Sequence, residues 1–393
     1  MRDAYIVDAV RTPFGKHGGA FRDTHPQDLA AAPLSALADR NDFDGGEVVE
    51  DVLYGCVVPT DEQGMNIGRI APMVAGWGET VPGVQLNRMC GSGQQAVNFA
   101  AGQITAGTHD VLCAGGVEHM TRVPMGSDSP AESNSYADRE SVTDTYFEHF
   151  DELTTQGEGA ERIAEQWSFS RRELDGIAVD SQHRWGEAAA AGHHDTQVIP
   201  VETTLDGDSV VVEEDGHPRP ETDRETLAAL PLAFRDEGDG VHHAGNASGI
   251  VDGSAATLIA SGKACDAHGW EPMARIVDSQ VVGVDPTTML TGPIPSTRQL
   301  LADNNLTVDD VDRFEVNEAF AAVIAAWLDE TGADWERTNV WGGAIAHGHP
   351  LGATGAALLG KLPYQLESCG GRYGLCTMCI GFGQGIATLV ERV

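Results

Sequence analysis

The repeated alternation of short apolar runs with helical stretches most constrains the fold of this chain. Strand-like runs cover residues 5–10, 48–58 and 111–114, and a helix rich in small residues is predicted over 94–106. Apolar runs that alternate with helices are typical of a parallel sheet whose strands are joined by crossover helices. The pattern therefore predicts an α/β core.

The same order of elements returns near the end of the chain. A strand at 313–316, a Gly-rich stretch at 342–355 that begins a helix, and an apolar run at 374–381 repeat the earlier succession of strand, helix and strand. The side chains of the two parts differ, and only the order of element types matches. This repeated order of elements indicates a duplicated core.

The middle of the chain has a different character. Residues 121–244 are rich in acids, Gly and Pro, with one predicted helical unit at 160–191 and few strand signals. We interpret this stretch as an inserted, largely surface domain. The predicted division is an N-terminal half formed by 1–120 with 245–270, an inserted loop domain at 121–244, and a C-terminal half at 271–393.

Acidic residues dominate the charge along the whole sequence. Asp and Glu number 60 against 24 Lys and Arg, which gives a formal net charge of −36. Such a surface repels itself in dilute buffer, whereas about 1 M salt shortens the Debye length to about 3 Å and screens the repulsion. The composition resembles that of proteins from salt-accumulating halophiles. It argues against a nucleic-acid partner, which would need a basic surface.

Neither a membrane span nor a disulfide framework is predicted. The apolar runs are too short to cross a bilayer, and the N-terminus lacks the pattern of a secretory signal, so we expect a cytoplasmic protein without membrane association. The seven cysteines are irregularly spaced. Cys376 and Cys379 have the spacing of a redox motif or half a zinc site, but no second ligand pair completes such a site, so no metal is predicted.

Two cysteines stand at junctions where chemistry can occur. Cys90 precedes a predicted helix and lies beside Gly91, where free N–H groups and the helix dipole favour a thiolate. The alternative is a buried structural cysteine beside a tight turn. Cys379 ends the last core strand, and side chains at the carboxyl edge of an α/β sheet face bound ligands.

The Gly-rich stretch and a neighbouring loop add an imidazole and an amide. His347 and His349 could bind a metal together, but no further ligand lies at a suitable spacing, so a general base is the better interpretation. Asn317 follows a short strand, where an Asn is commonly a helix N-cap. One cysteine for nucleophilic attack and a second for proton transfer would fit this set of residues.

The chain resembles the thiolase family from end to end. The matching motifs occur in order at 7–16, 87–93, 115–120, 245–249, 317–321, 342–355 and 379–385. The resemblance implies a duplicated βαβαβαββ core in α/β/α/β/α layers with an inserted loop domain. It also implies an acyltransferase that needs no tightly bound cofactor and uses coenzyme A as substrate or product.

The resemblance assigns catalytic roles by position. Cys90 matches the acylated nucleophile, and His349 rather than His347 matches the base that takes its proton. Cys379 matches the residue that exchanges a proton with the α-carbon of the acetyl unit. Asn317 matches the residue that holds a water in one oxyanion hole with His349, and the N–H groups of Cys90 and Gly381 match the second hole.

The resemblance also assigns a set of binding residues. Ser248 matches a contact to the pantetheine arm, and Arg219 falls near the nucleotide end of coenzyme A; the alternative for Arg219 is an ordinary solvated loop arginine. Phe234 is expected to line the same groove. Three more residues match the surroundings of the acyl pocket, although as apolar groups they would more often be plain core: Met289, Ala319 and Phe320.

The sequence carries mixed signals on substrate choice. Many short-chain biosynthetic thiolases have His-Met-Gly before Thr-Ala-Glu, whereas here Thr155 and Gln156 replace the His and Met. The 377–388 ending is similar to fatty-acid-degrading 3-ketoacyl-CoA thiolases, while the 90–93 and 246–249 motifs resemble the biosynthetic type. We predict thiolytic cleavage of 3-ketoacyl-CoA in β-oxidation. The alternatives are biosynthetic acetoacetyl-CoA formation, a decarboxylating ketoacyl synthase, or an inactive lipid- or CoA-binding relative.

The resemblance further implies the partners of the chain. Acyl-CoA and CoA are the expected small-molecule partners. A homodimer or a homotetramer is expected. The resemblance to β-oxidation thiolases also suggests an association with other β-oxidation enzymes.

Overall fold

The computed structural model of the protein describes residues 2–130, 136–236 and 238–393. The strands are β1 Ala4–Arg11, β2 Gly15–Lys16, β3 Asp51–Gly55, β4 Gly83–Leu86, β5 Val111–His119, β6 Val201–Leu205, β7 Asp208–Val212, β8 Val251–Ser261, β9 Ala274–Gly283, β10 Arg313–Val316, β11 Tyr373–Ile380 and β12 Gln384–Arg392. The helices are α1 Pro26–Arg40, α2 Gly45–Val48, α3 Ile67–Val74, α4 Ser92–Ala106, α5 Gln156–Trp167, α6 Arg171–Ala190, α7 Arg224–Ala228, α8 Gly262–His268, α9 Pro293–Asp303, α10 Ala321–Thr331, α11 Ala344–His347 and α12 Leu351–Cys369.

One mixed sheet joins the two halves of the core. Its strand order is β10-β11-β12-β9-β1-β8-β5-β3-β4, and β2 pairs with β8. In the first half β3 is parallel to β5, which is antiparallel to β8, which is antiparallel to β1. In the second half β10, β11, β12 and β9 repeat these directions. The duplicated α/β core predicted from the sequence is confirmed.

The two halves enclose a central helical layer. Helices α4 and α12 pack on each other, and α12 contacts both β5 and β11. Gly93 and Gly355 permit this approach, since a Cβ on Gly93 would lie 2.6 Å from the Gly352 carbonyl oxygen and one on Gly355 would lie 2.6 Å from the Gln94 nitrogen. Helices α1 and α3 cover the outside of the first half, and α9 and α10 cover the second. The layers follow the predicted α/β/α/β/α order.

The predicted single helical unit at 160–191 is wrong in detail. Two helices, α5 and α6, occupy this stretch because the backbone turns sharply at Ser168, which adopts a left-handed φ of 60°. Ser170 and Glu173 then start α6 with a reciprocal capping box. The segment also contains the β6–β7 hairpin, which the weak strand signals did not predict.

The predicted division into three domains stays a prediction. The inserted segment 121–244 includes residues 131–135 and 237, which lie outside the described residues. Strand β8 follows this segment and pairs between β1 and β5, so the chain returns to the first half of the core. No helix of the described ranges is long and apolar enough to cross a membrane.

Candidate active site

A strained turn presents Cys90 at the start of α4. Met89 adopts a left-handed φ of 46°, which is costly for a residue with a Cβ. Two side chains hold this turn: the Met89 N–H donates to Asn87 Oδ1 at 2.8 Å, and the Ser92 hydroxyl donates to the Met89 carbonyl at 2.6 Å. Ser92 Oγ also accepts from the Arg88 N–H at 2.8 Å. The turn therefore fixes the Cys90 side chain before substrate arrives.

The environment of the Cys90 thiol differs from the sequence-based expectation. Burial raises the pKa of Cys90 above its ordinary value, in spite of the helix start beside it. The Gln156 carboxamide opposes this, donating from Nε2 to Cys90 Sγ at 3.8 Å, and the N–H groups of Gly381 and Cys90 also lower the pKa. The resting thiol is therefore protonated more readily than the helix dipole alone suggested, and a base is needed to ionise it.

His349 is held in the tautomer that can act as this base. Its Nδ1 lies 2.6 Å from Thr354 Oγ1, and that hydroxyl donates to the Pro350 carbonyl at 2.8 Å. Since the hydroxyl proton is already donated, Thr354 accepts from Nδ1–H, and His349 Nε2 keeps its lone pair. Burial lowers the pKa of His349 to about 3, so the ring is neutral at physiological pH.

Asn317 lies beside His349. Its Nδ2 is 3.4 Å from His349 Nε2, and its Oδ1 is buried without a hydrogen-bond partner among the described residues. The loop that carries Asn317 is anchored by Glu318, whose fully buried carboxylate accepts from Ser181, Asn339 and the Ile345 N–H. This loop is thereby joined to the stretch that leads to His349.

Cys379 lies next to Cys90 near the end of β11. It is 1% exposed, and burial, followed by the charge of Cys90, raises the pKa of Cys379. Its CxxC partner Cys376 lies three residues away on the strand and hence on the opposite face, where it packs in the central layer. The described residues hold no cluster of three or more His, Cys, Asp or Glu suited to a metal ion.

A cavity of about 580 Å³ opens onto Cys90 and His349, whereas Asn317 and Cys379 are not among its described lining residues. Most of the predicted binding residues line it together with Cys90, His349 and Gly381. The lining residues described are Val57, Met89, Cys90, Met120, Met125, Tyr136, Ala137, Thr154, Thr155, Gln156, Gly157, Ala233, Phe234, Ala247, Ser248, Gly249, Ile250, Met289, Ala319, Phe320, His349, Leu351, Gly381 and Phe382. None of these is Asp, Glu, Lys or Arg. The described lining is therefore mostly apolar, and its ionisable side chains are one imidazole, one thiol and one phenol.

Several contacts fix the walls of this cavity. The Ser248 N–H donates to the Ala319 carbonyl at 2.9 Å, which joins the 245–249 and 317–321 motifs. The Phe234 ring packs edge-on against Phe320 with centroids 5.5 Å apart. Met289 is buried and adopts a left-handed φ of 51°. The motifs that are distant in sequence therefore form one wall.

Arg219 does not line the cavity but lies near it. Its N–H donates to Gln182 Oε1 at 2.6 Å, and its guanidinium donates to the His217 carbonyl. The His217 ring packs so closely on Gly249, a lining residue, that no Cβ would fit there. Burial and then the charges of Arg219 and Lys16 lower the pKa of His217. Two cationic side chains, Arg219 and Lys16, thus act on His217 beside the cavity, and the Asp215 carboxylate acts on it in the opposite direction.

Sequence reasoning missed three of these residues as site residues. In the sequence Gln156 stands out only as a replacement, and its position at the first residue of α5 does not show that it contacts Cys90. His217 and Lys16 come from distant segments. The departure from His-Met-Gly was the one signal that pointed towards Gln156.

Comparisons with known proteins agree with this geometry. The sequence matches the family "Thiolase, N-terminal domain" over residues 4–263 and "Thiolase, C-terminal domain" over 270–392. It is 44% identical over 396 residues to the steroid 3-ketoacyl-CoA thiolase FadA6 of Mycobacterium tuberculosis, covering 100% of this chain and 95% of the relative. It is 42% identical over 403 residues to the 3-oxoadipyl-CoA/3-oxo-5,6-dehydrosuberyl-CoA thiolase of Escherichia coli, covering 100% of both.

A solved structure shows the same fold. The acetyl-CoA acetyltransferase of Bacillus anthracis superposes with a TM-score of 0.91 at 35% identity, covering 100% of this chain and 99% of that one. The family matches together span nearly the whole chain. This chain therefore belongs to the thiolase family and is an acyltransferase.

Proposed function

We propose that the protein cleaves 3-ketoacyl-CoA with an uncharged acyl chain into acetyl-CoA and a shortened acyl-CoA. The observation that carries this proposal is the second buried thiol, Cys379, beside the nucleophile Cys90 and the neutral His349. Acyl transfer alone needs one nucleophile and one base. When the leaving group is a carbanion that must be protonated, an acid is needed in addition.

In the first half-reaction, His349 Nε2 takes the proton of Cys90 and the thiolate attacks the 3-keto carbon. The C2–C3 bond then breaks, its electron pair stays on C2, and the acetyl-CoA enolate takes a proton from Cys379. The proton on His349 passes to the Cys379 thiolate. Cys90 now carries the shortened acyl group, and both His349 and Cys379 are neutral again.

In the second half-reaction, coenzyme A replaces acetyl-CoA. His349 takes the thiol proton of coenzyme A, whose sulfur attacks the acyl carbon on Cys90. The bond from carbon to Cys90 Sγ breaks, and the His349 proton returns to this sulfur. The protein ends in its starting protonation state.

Oxyanions form in both halves, and two sets of donors suit them. The N–H groups of Cys90 and Gly381 already act on the sulfur and can serve the oxygen of a carbonyl bonded to it. Asn317 Oδ1, buried and unpaired among the described residues, is suited to hold a water beside His349. A well-placed oxyanion donor contributes about 3 kcal/mol in the cases measured.

The acyl chain and the nucleotide would occupy opposite ends of the site. The cavity has no cation to pair with a terminal carboxylate among its described lining residues, so an uncharged acyl chain is favoured. Arg219 and Lys16, whose charges act on His217 beside Gly249, are proposed to attract the phosphates of coenzyme A, and Ser248 to contact its pantetheine arm. Phe234, Met289, Ala319 and Phe320 are assigned to the walls around the acyl and pantetheine groups.

A second copy of the chain is proposed to cover the edge of the sheet. Strand β4 ends the sheet on one side, and Val84 on this strand is 43% exposed. Helix α3 packs against β4 and exposes Met73 and Val74. A free strand edge with exposed apolar side chains is suited to pairing with another chain. The tetramer, the association with other enzymes, the cytoplasmic location and the salt adaptation stay predictions.

Thiolysis rates test the proposed function. Acetyl-CoA formation should be measured for straight-chain 3-ketoacyl-CoAs of four to sixteen carbons and for a 3-keto dicarboxylic acyl-CoA of matched length. We expect thiolysis of the uncharged series and at least a tenfold lower kcat/KM for the dicarboxylic substrate. A preference for the dicarboxylic substrate would contradict the assignment of substrate class. Activity restricted to the four-carbon substrate would favour the biosynthetic alternative.

A further inference from the structure

Gln156 places a polar side chain in the otherwise apolar surroundings of Cys90. It is the first residue of α5, where the Thr155 hydroxyl accepts from the Glu158 N–H at 3.1 Å and fixes the start of the helix. Its Nε2 donates to Cys90 Sγ at 3.8 Å. The position is one at which many short-chain biosynthetic thiolases have Met, which offers no donor.

The same amide nitrogen is adjacent to Gly381. A Cβ built on Gly381 would lie 3.3 Å from Gln156 Nε2. The N–H groups of Gly381 and Cys90 act on the sulfur from the same surroundings. Three N–H donors therefore converge on one sulfur atom, two from the backbone and one from a side chain.

We propose that the Gln156 carboxamide is a third donor of the oxyanion hole at Cys90. When Cys90 is acylated, its sulfur loses the charge that attracts the amide. The acyl carbonyl oxygen is bonded to the carbon next to this sulfur, so it becomes the nearest strong acceptor. The inference rests on the proposed function, because it requires a thioester to form on Cys90.

The proposal accounts for both states of the nucleophile. Once His349 has taken the proton of Cys90, the amide supports the thiolate that attacks, and in the tetrahedral intermediates it supports the oxygen where negative charge develops. A donor fixed by a helix start in an apolar cavity needs no reorganisation at the moment of reaction, which is the condition for strong electrostatic stabilisation. Bond making and breaking remain those of the two half-reactions above.

The Gln156→Met variant tests this role, since it keeps the side-chain length and removes the donor. We expect the rate constants for acylation of Cys90 and for its release to coenzyme A to fall about 10²-fold, the effect of losing one oxyanion donor, with the KM for coenzyme A unchanged. Alkylation of Cys90 by iodoacetamide should also need a higher pH. Gln166→Met, the same substitution at an exposed site on the last turn of α5, is the matched control and should match the wild type.

A second variant keeps the test decisive. Gln156→Glu has the same size and places a negative charge against the oxyanion, so it should be slower than Gln156→Met at neutral pH. Thermal unfolding of both variants identifies any loss of folded protein, and rates are taken per folded molecule. Wild-type acylation rates and an unchanged alkylation profile in both variants would overturn the inference. Absence of acyl-Cys90 in the wild type would instead overturn the proposed function.

Discussion

Removing the Thr354 hydroxyl should slow the reaction without touching any group that contacts substrate. Thr354 is fully buried, and its Oγ1 is the acceptor for His349 Nδ1 at 2.6 Å. Thr354→Val keeps the shape of the side chain and removes the oxygen. The Pro350 carbonyl loses one donor, but it still accepts from the Ala353 and Thr354 N–H groups. The imidazole is therefore the group left without a partner.

The size of the effect follows from that lost partner. A buried N–H without an acceptor costs about 1–3 kcal/mol. The ring can avoid this cost by moving its proton from Nδ1 to Nε2, but in that tautomer His349 cannot accept the proton of Cys90. The population of the competent tautomer should then fall by about 5-fold to 150-fold, since about 1.4 kcal/mol corresponds to a factor of ten. We expect kcat to fall by the same factor.

Single-turnover acylation and steady-state thiolysis would measure this effect. Thr354→Ser is the control, because it keeps the hydroxyl and loses only a methyl group, at a cost of about 1 kcal/mol in stability. Its kcat should stay close to the wild-type value, and both variants should be compared by urea unfolding. A Thr354→Val enzyme with the wild-type kcat would refute the argument that this hydroxyl sets the tautomer of His349.

Four further predictions concern the thiols, a buried ion pair and salt. Cys90→Ser should abolish the acyl-enzyme that peptide mass spectrometry detects in the wild type. An acyl group found on Cys379 of the wild type would reverse the assignment of nucleophile and acid. Cys379→Ala should leave acylation by simple acyl-CoA intact and slow 3-ketoacyl-CoA cleavage by about 10² to 10⁴; equal loss of both would indicate a structural role. Burial alone would raise the pKa of Asp215, but Arg11, paired with it at 2.6 Å, holds this pKa below the ordinary value. The pair's stabilisation is thus present above about pH 4 and lost as pH falls through the folded-state pKa. Arg11→Gln should therefore cost about 3–5 kcal/mol in urea unfolding at pH 7 and less in acid, and a pH-independent difference would contradict this. The melting temperature should rise with KCl and level off near about 1 M, where the Debye length is about 3 Å; a flat profile would show that the acidic composition is no salt adaptation.

Secondary structure could be predicted best for elements whose own residues determine their conformation. The β11 strand occurs over Tyr373–Ile380, as predicted, because its apolar run is buried on both faces. The break between α5 and α6 depends on a left-handed Ser168, a conformation that composition does not specify. The β6–β7 hairpin is half-exposed, so its side chains carry only a weak apolar signal.

The site could be predicted in its chemistry but not in its electrostatics. The motifs predict Cys90, His349 and Cys379 as catalytic residues; the structure places Cys90 and His349 in one cavity and Cys379 near Cys90. The helix start predicts a lowered pKa for Cys90, but burial raises this pKa. Burial arises from segments distant in sequence, and the contact from Gln156 crosses 66 residues. Such effects need the assembled fold.

Burial serves each of the three groups in a different way. It raises the pKa of Cys379 and so keeps it a thiol, which is the form that can protonate an enolate. It lowers the pKa of His349 and so keeps it neutral, which is the form that can accept a proton. In the proposed reaction Cys90 must become an anion before it attacks, and its sulfur receives a side-chain donor, from Gln156, in addition to the backbone N–H of Gly381. The same apolar enclosure therefore suits the proposed acid, base and nucleophile, because Gln156 and Gly381 act on the sulfur of Cys90, whereas the N–H of Cys379 itself acts on the sulfur of Cys379.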